Sequence, residues 1–210
     1  QAFNGLVELL RGQQAVALVG AGSSARLRYP LWSGFANLLA DEVVRNHPAK
    51  QAQVEAIQKH RDLLFRIGRL RNELGEGNFA PWFREIFSPK DPSFDSFHEN
   101  VVRLPFRHVL TTNYDPVLDR AHATVWRGCE SPSIDAEAHV VDWSNPDDVG
   151  ELLTHLNDPK YRRRYVHLHG RYNDRRTLVL TRDEYRARYH ENTRNNRILT
   201  LLFGSFRVVS

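Results

Sequence analysis

The 210-residue chain contains one cysteine, Cys129, and no methionine. A single thiol excludes both an intramolecular disulfide framework and a multi-cysteine zinc site. A reducing, cytoplasmic setting is the location this suggests. No apolar run approaches the roughly 18 residues of a membrane-crossing helix, and the opening stretch from Gln1 to Val7 lacks the basic-then-apolar layout of a secretory signal. Internal repeats, low-complexity tracts and long Pro/Gly/Ser linkers are also missing. What remains is a globular composition, 41% hydrophobic and 10% aromatic, sufficient for one sizeable core. The formal charge of +4 is carried mostly by arginine, densest at Tyr161-Arg162-Arg163-Arg164-Tyr165, with Arg171, Arg175 and Arg176 close behind. Such a cluster can follow a phosphate backbone, although solvated faces of an arginine-rich protein explain it more simply.

Hydrophobic patterning divides the chain into alternating elements. Phe3, Leu6, Val7, Leu9 and Leu10 fall at helical spacing, and Ala15-Val16-Ala17-Leu18-Val19 reads as a strand buried on both faces. A helix from about Trp32 to Asn46 follows, and residues from about 50 to 103 read as helical, with breaks near Gly75-Glu76-Gly77, Ser88-Pro89 and Asp91-Pro92. Further strands are expected at His108–Thr112, Thr124–Trp126, His139–Trp143, Tyr165–His169 and Thr177–Thr181, then a helix over roughly 182–203. Strands alternating with helices predict an α/β fold: a doubly wound, mostly parallel Rossmann-like sheet with a helical insertion over about 47–103. The chain starts with Gln1 and stops within Phe206-Arg207-Val208-Val209-Ser210, which reads as an unfinished strand. The expected domain therefore spans 1–210 and is incomplete at its C-terminus.

Three of these strands end in residues that can carry chemistry. Gly20-x-Gly22-x-x-Ala25 matches a dinucleotide fingerprint, in which small residues let a pyrophosphate approach the backbone; a tight turn that needs glycine anyway is the alternative. Asp41 and Glu42 lie about 20 residues on, where a ribose-binding acid is expected, but in a helical pattern, and read as a solvated helix end. Asn113 and Asp115 follow the second strand: the amide can orient a water or a ribose hydroxyl and the carboxylate can accept a carboxamide N–H. An Asx-type turn before Pro116 would use the same residues structurally. In Tyr165-Val166-His167-Leu168-His169-Gly170, alternation puts His167 and His169 on one face, with His169 at the rim of the crevice as a candidate general base. His167 reads as a buried, hydrogen-bonded side chain. No third or fourth ligand accompanies the two histidines, so no metal is expected.

Together and in this order, Gly20-Ala21-Gly22-Ser23, Tyr29-Pro30-Leu31-Trp32, Thr112-Asn113-Tyr114-Asp115, Leu168-His169-Gly170 and Leu180-Thr181-Arg182-Asp183-Glu184-Tyr185 carry a likeness. From about residue 14 onward the sequence resembles the sirtuin-like (silent-information-regulator-type) family, in the branch found in bacterial antiphage defence proteins. The resemblance implies that the Gly20–Ser24 loop, through Ala21, Gly22 and Ser23, cradles the pyrophosphate of NAD, the substrate. It implies that the loop from Arg26 to Trp32 covers the nicotinamide ribose and that Asp115 binds the carboxamide. Asn113 would position the ribose or attacking water, and His169 would be the base. Protein-deacylating sirtuins carry a four-cysteine zinc module that one cysteine cannot supply, and their Gly-Thr-Ser motif should follow the strand where this chain stops. The resemblance therefore points to an NAD hydrolase releasing nicotinamide and ADP-ribose, an effector gated by homo-oligomerisation or a partner defence protein. The alternatives are a module that binds NAD, ADP-ribose or nucleic acid without turnover, and an NAD-dependent deacylase.

Overall fold

The computed structural model describes residues 2–126, 140–158 and 163–210. Cys129, His139, Tyr161 and Arg162 lie outside the described residues. Among the described residues five strands form one parallel sheet: β1 (Ala15–Val19), β2 (Val109–Thr111), β3 (Val140–Val141), β4 (Tyr165–His167) and β5 (Arg207–Val209), in the order β3-β4-β2-β1-β5. The α/β, Rossmann-like expectation holds. From β1 the chain steps to β2 on one side and finally returns to β5 on the other. That reversal opens a crevice above β1, at the carboxyl ends of the strands.

The apolar run of β1 is continuous because both faces are covered. Ala15, Ala17 and Val19 pack with Val109, Tyr165 and the helices α1 (Ala2–Arg11), α7 (Ser96–Arg103) and α8 (Val117–Val125). Val16, Leu110 and Val166 face the other way, against Val149 and Leu152 of α9 (Pro146–Thr154) and Ile198 and Leu202 of α11 (Thr193–Ser205). Each valine, leucine or isoleucine among them contributes roughly 1.5–3 kcal/mol when fully buried, so a one-residue slip of register would be severely unfavourable.

Between β1 and β2 lie α2 (Ala21–Ala25), α3 (Trp32–Asn46), α4 (Gln51–Gln58), α5 (Leu63–Leu74), α6 (Glu76–Phe87) and α7. A core of their own joins α3 through α6, centred on Phe35, Leu39, Ile67, Leu70, Phe79 and Phe83, and it reaches Tyr114 just past β2. The aromatic contacts of Phe83 and Phe87 with Tyr114, both 5.3 Å between ring centroids, tie this helical layer to the turn that carries Asn113 and Asp115.

Four local expectations need correction. Thr124–Trp126 is the end of α8 and not a strand: Val117, Leu118 and Ala121 keep helical spacing into the core, which a three-residue β-like triplet cannot override. Thr177–Thr181 is not a strand either. A 3-10 turn covers Arg175–Thr177, and the extended residues after it bond to loops: the Val179 N–H donates to the His169 carbonyl at 2.9 Å, and Tyr114 Oη donates to the Val179 carbonyl at 2.7 Å. The single helix expected over 182–203 is three pieces, α10 (Arg182–Arg186), a π-helical turn (Ala187–Glu191) and α11, which Asn192 caps by accepting the Asn195 N–H. Glu42 is buried inside α3, where it pairs with Arg45 and accepts from Asn46 Nδ2 at 2.7 Å; only Asp41 is exposed.

Candidate active site

Parallel pairing puts the residues after β1, β2 and β4 on one edge of the sheet. After β1, Gly20 is extended (φ −109°) and α2 begins at once, with Ser23 Oγ donating back to the Gly20 carbonyl at 2.9 Å. Neither Gly20 nor Gly22 has positive φ. A Cβ on Gly22 would meet nothing within 4 Å, and one on Gly20 would meet only Thr112 Oγ1 at 3.9 Å. The turn itself therefore does not demand glycine; what the two glycines provide is bare backbone facing the crevice.

After β2 the polar groups lock together. Thr111 Oγ1 donates to the Val19 carbonyl at 2.9 Å and accepts the Asn113 N–H at 3.0 Å, so β1 and β2 jointly set where Asn113 starts. Asn113 Nδ2 donates to Ser24 Oγ (3.1 Å) and Ser23 Oγ (3.3 Å), while its Oδ1 is buried with no hydrogen-bond partner among the described residues. Asp115 accepts from the Val117 N–H at 3.2 Å, and burial pushes its carboxyl up, against the hydrogen bonds from Val117 and Ser24. The Asx-type turn is real, but it uses Asp115 and leaves the Asn113 amide free to join the loop after β1. Ala21, Ser24, Tyr29, Trp32, Asn113 and Asp115 line one pocket of about 20 Å³, about what a single water occupies.

After β4 the chain turns at Gly170, φ +85°. His169 is 9% exposed and does not line that pocket, but packs against two residues that do: Trp32 and Tyr114, at 6.4 and 6.3 Å between ring centroids. Tyr185 of α10 and Tyr189 of the π turn close the other sides, at 5.6 and 6.0 Å. Tyr189 Oη donates to the Leu168 carbonyl at 2.5 Å and so holds the turn in place. Burial, with the charge of Arg188 adding to it, pushes the His169 pKa down to about 4. The ring is therefore neutral at pH 7, with Nδ1 buried and lacking a partner among the described residues. A neutral imidazole can accept a proton, but in this closed cage it is a weaker base than the near-neutral one expected from sequence.

His167 and His169 do not act as a pair. His167 donates between elements, to the Asn113 carbonyl through Nδ1 at 3.1 Å and to Asp119 Oδ1 through Nε2 at 3.1 Å, and Arg171 approaches Asp119 Oδ2 at 3.3 Å. Burial works against the charged ring, yet Asp119 outweighs it and raises His167; burial alone would raise Asp119, and His167 and Arg171 hold it down instead. This buried pair fixes the backbone of Asn113. Sequence reading missed Asp119, Ser24's double role, and the Tyr185–Tyr189 cover. The nearest available signal was the i, i+4 repeat of those two tyrosines.

His108, wholly buried beneath the sheet edge, is also pushed down to about 4, by burial and then by the charge of Arg107. Both His108 and His169 are neutral when folded and ionise near 6.5 when unfolded, so the unfolded chain binds protons first as pH falls. Their contribution to stability is complete above pH 6.5 and is lost toward pH 4, about 3 kcal/mol for each. His167 has the opposite sign and acts above 6.5, so it does not offset this loss. Denaturant midpoints measured from pH 7 to pH 4 are expected to fall steeply; a flat profile across that window would contradict the buried neutral histidines.

A parallel sheet with glycine-bearing and polar turns meeting above a reversal in strand order defines a Rossmann-like class of α/β protein. Residues 107–209, just under half of the chain, match the family model described as SIR2-like domain. That span runs from β2 to β5 and holds Asn113, Asp115 and His169, while the Gly20–Ser24 loop lies before it. The match supports a sirtuin-like domain with NAD-related activity in general. No curated protein matches the chain significantly.

Proposed function

We propose that the protein is an NAD hydrolase that cleaves the nicotinamide N-glycosidic bond and serves in antiphage defence by depleting NAD. The observation that carries the reading is the convergence of Asn113, Ser24 and Asp115 on the bare glycine turn after β1, with a buried amide oxygen that has no donor among the described residues. In this reading Gly20, Ala21, Gly22 and Ser23 take the pyrophosphate and Ser24 holds Asn113 in register. Asp115 takes the carboxamide, and its raised pKa suits hydrogen bonding to an uncharged amide.

Loss of nicotinamide neutralises a cationic pyridinium and leaves oxocarbenium character on the ribose. Asn113 Oδ1 accepts from a ribose hydroxyl or from the attacking water, and His169 accepts that water's proton. The pocket is too small for a nicotinamide ring and Trp32 separates it from His169, so the Arg26–Trp32 loop moves on binding. That closed resting arrangement fits an effector whose basal turnover is low until assembly or a partner opens it. The nucleic-acid reading loses ground at the arginines: Arg163 donates to the Val102 and Leu104 carbonyls, Arg164 pairs with Glu151, Arg171 with Asp119 and Arg176 with Asp174.

The test is incubation of the protein with NAD, alone and with cell extract from phage-infected bacteria as trigger, with nicotinamide and ADP-ribose quantified by chromatography. Stoichiometric release of both is expected. NAD left intact under every condition would reject hydrolysis and leave binding without turnover.

A further inference from the structure

A second cavity, of about 290 Å³, opens just past the carboxyl end of β3. It lies three strand positions from β1, roughly 14 Å across the sheet from the glycine turn. Its polar lining is Trp143, Ser144, Arg188, Asn192, Arg194 and Asn195, two of them cationic, with no carboxylate among the lining residues. Pro146 and Val149 supply an apolar side.

Two of these residues carry buried donors that nothing in the fold uses. Trp143 is 2% exposed and its indole Nε1–H has no acceptor, and Arg188 Nη1 has none either, among the described residues. Buried N–H groups left unpaired are rare in native proteins and ask for an acceptor. The neighbouring carboxylates are already engaged: Asp142 accepts from the Ser144 N–H and Oγ, and Asp148 from the Asp142 N–H and Asn145 Nδ2. Arg194 is held at the mouth by the Pro146 carbonyl at 2.6 Å, and Asn195 Nδ2 anchors the Arg188 carbonyl at 3.2 Å. The Arg188 guanidinium is itself held through Nη2 by the Thr177 carbonyl at 3.3 Å, so both guanidinium groups are anchored beside one space, near the start of the 13-residue helix α11.

We propose that this cavity binds a phosphate-bearing small molecule, with Arg188, Arg194 and the Trp143 N–H on the oxyanion. Two guanidinium groups, an indole N–H and a helix start offer donors from several directions, which suits a tetrahedral oxyanion better than a planar carboxylate. The volume left beside the indole is enough for a sugar or base attached to it. Arg188 also presses its charge on His169, so the occupant would be felt at the candidate base.

Calorimetric titration of the whole protein with inorganic pyrophosphate, and separately with AMP, tests this. At least one probe should bind, and should bind Gly22→Ala, which adds a methyl to the bare turn after β1, as well as it binds the wild type. Its affinity should fall tenfold or more in Arg194→Gln and several-fold in Trp143→Phe, which keeps the ring volume and removes the N–H. Tighter binding of AMP than of pyrophosphate would assign the organic half to the indole wall; the reverse order would assign the site to the phosphate alone. The proposal is overturned if neither probe binds, or if both variants bind as the wild type does. Loss in Gly22→Ala alone would also overturn it, by placing the probe in the turn after β1. None of these outcomes depends on whether NAD is hydrolysed.

Discussion

Replacing Asn113 or His169 by alanine is expected to abolish most NAD turnover while leaving the protein folded. Asn113→Ala removes the amide whose Nδ2 bridges Ser23 and Ser24 and whose Oδ1 awaits a donor. A preorganised polar group of this kind is worth roughly 10²–10³ in kcat. His169→Ala removes the imidazole that contacts the pocket's Trp32 and Tyr114, and a general base contributes roughly 10²–10⁴. Both losses should fall on kcat, since the pyrophosphate and carboxamide contacts remain. Thermal melts of the two variants serve as the folding control. Folded variants with turnover equal to the wild type would reject the assignment of both residues.

Gly170→Ala should be the most destabilising small substitution at this edge of the sheet. Its φ of +85° already disfavours any side chain, and an added Cβ would sit 2.2 Å from the Thr177 carbonyl oxygen. That neighbour is backbone, tied in by the Thr177 hydroxyl, which accepts the Arg171 N–H at 3.0 Å and donates to the Asp174 carbonyl at 2.7 Å. Strain in the positive-φ region and displacement of a fixed turn together exceed about 3 kcal/mol, read as a fall in the urea midpoint. Gly22→Ala is the contrast: a Cβ there meets nothing within 4 Å, so stability should change by less than about 0.5 kcal/mol while KM for NAD rises. A Gly170→Ala protein within 1 kcal/mol of wild type would show that the turn after His169 is not held as described.

The contrast between these glycines shows how far sequence reading reaches. Gly20, Gly22 and Gly170 all stand next to strand ends in short motifs; from sequence the first two read as a dinucleotide fingerprint or a tight turn, and Gly170 only as the neighbour of His169. Only the surroundings separate Gly170, which the fold requires, from Gly20 and Gly22, which it does not. Asn113 and Asp115 were legible because a polar pair directly after an apolar run must lie at the mouth of a buried strand. Asp119 was not: three residues into α8, it looks like an ordinary first-turn acid until His167 and Arg171 arrive from β4 and the loop beyond it.

Sequence alone determined the parallel α/β architecture, because the apolar runs at Ala15–Val19 and His108–Thr112 and the helical spacing between them allow few other layerings. It also excluded a multi-cysteine zinc module, since one thiol cannot build one. Tertiary structure decided everything that depends on which side chain meets which across the sheet edge. It put Asn113 on Ser24, wrapped His169 in four aromatic rings, and turned the expected strand at Thr177–Thr181 into a loop bonded to His169 and Tyr114. Those outcomes rest on contacts between residues 10 to 137 positions apart, and hydrophobic periodicity, a property of near neighbours, carries no record of them.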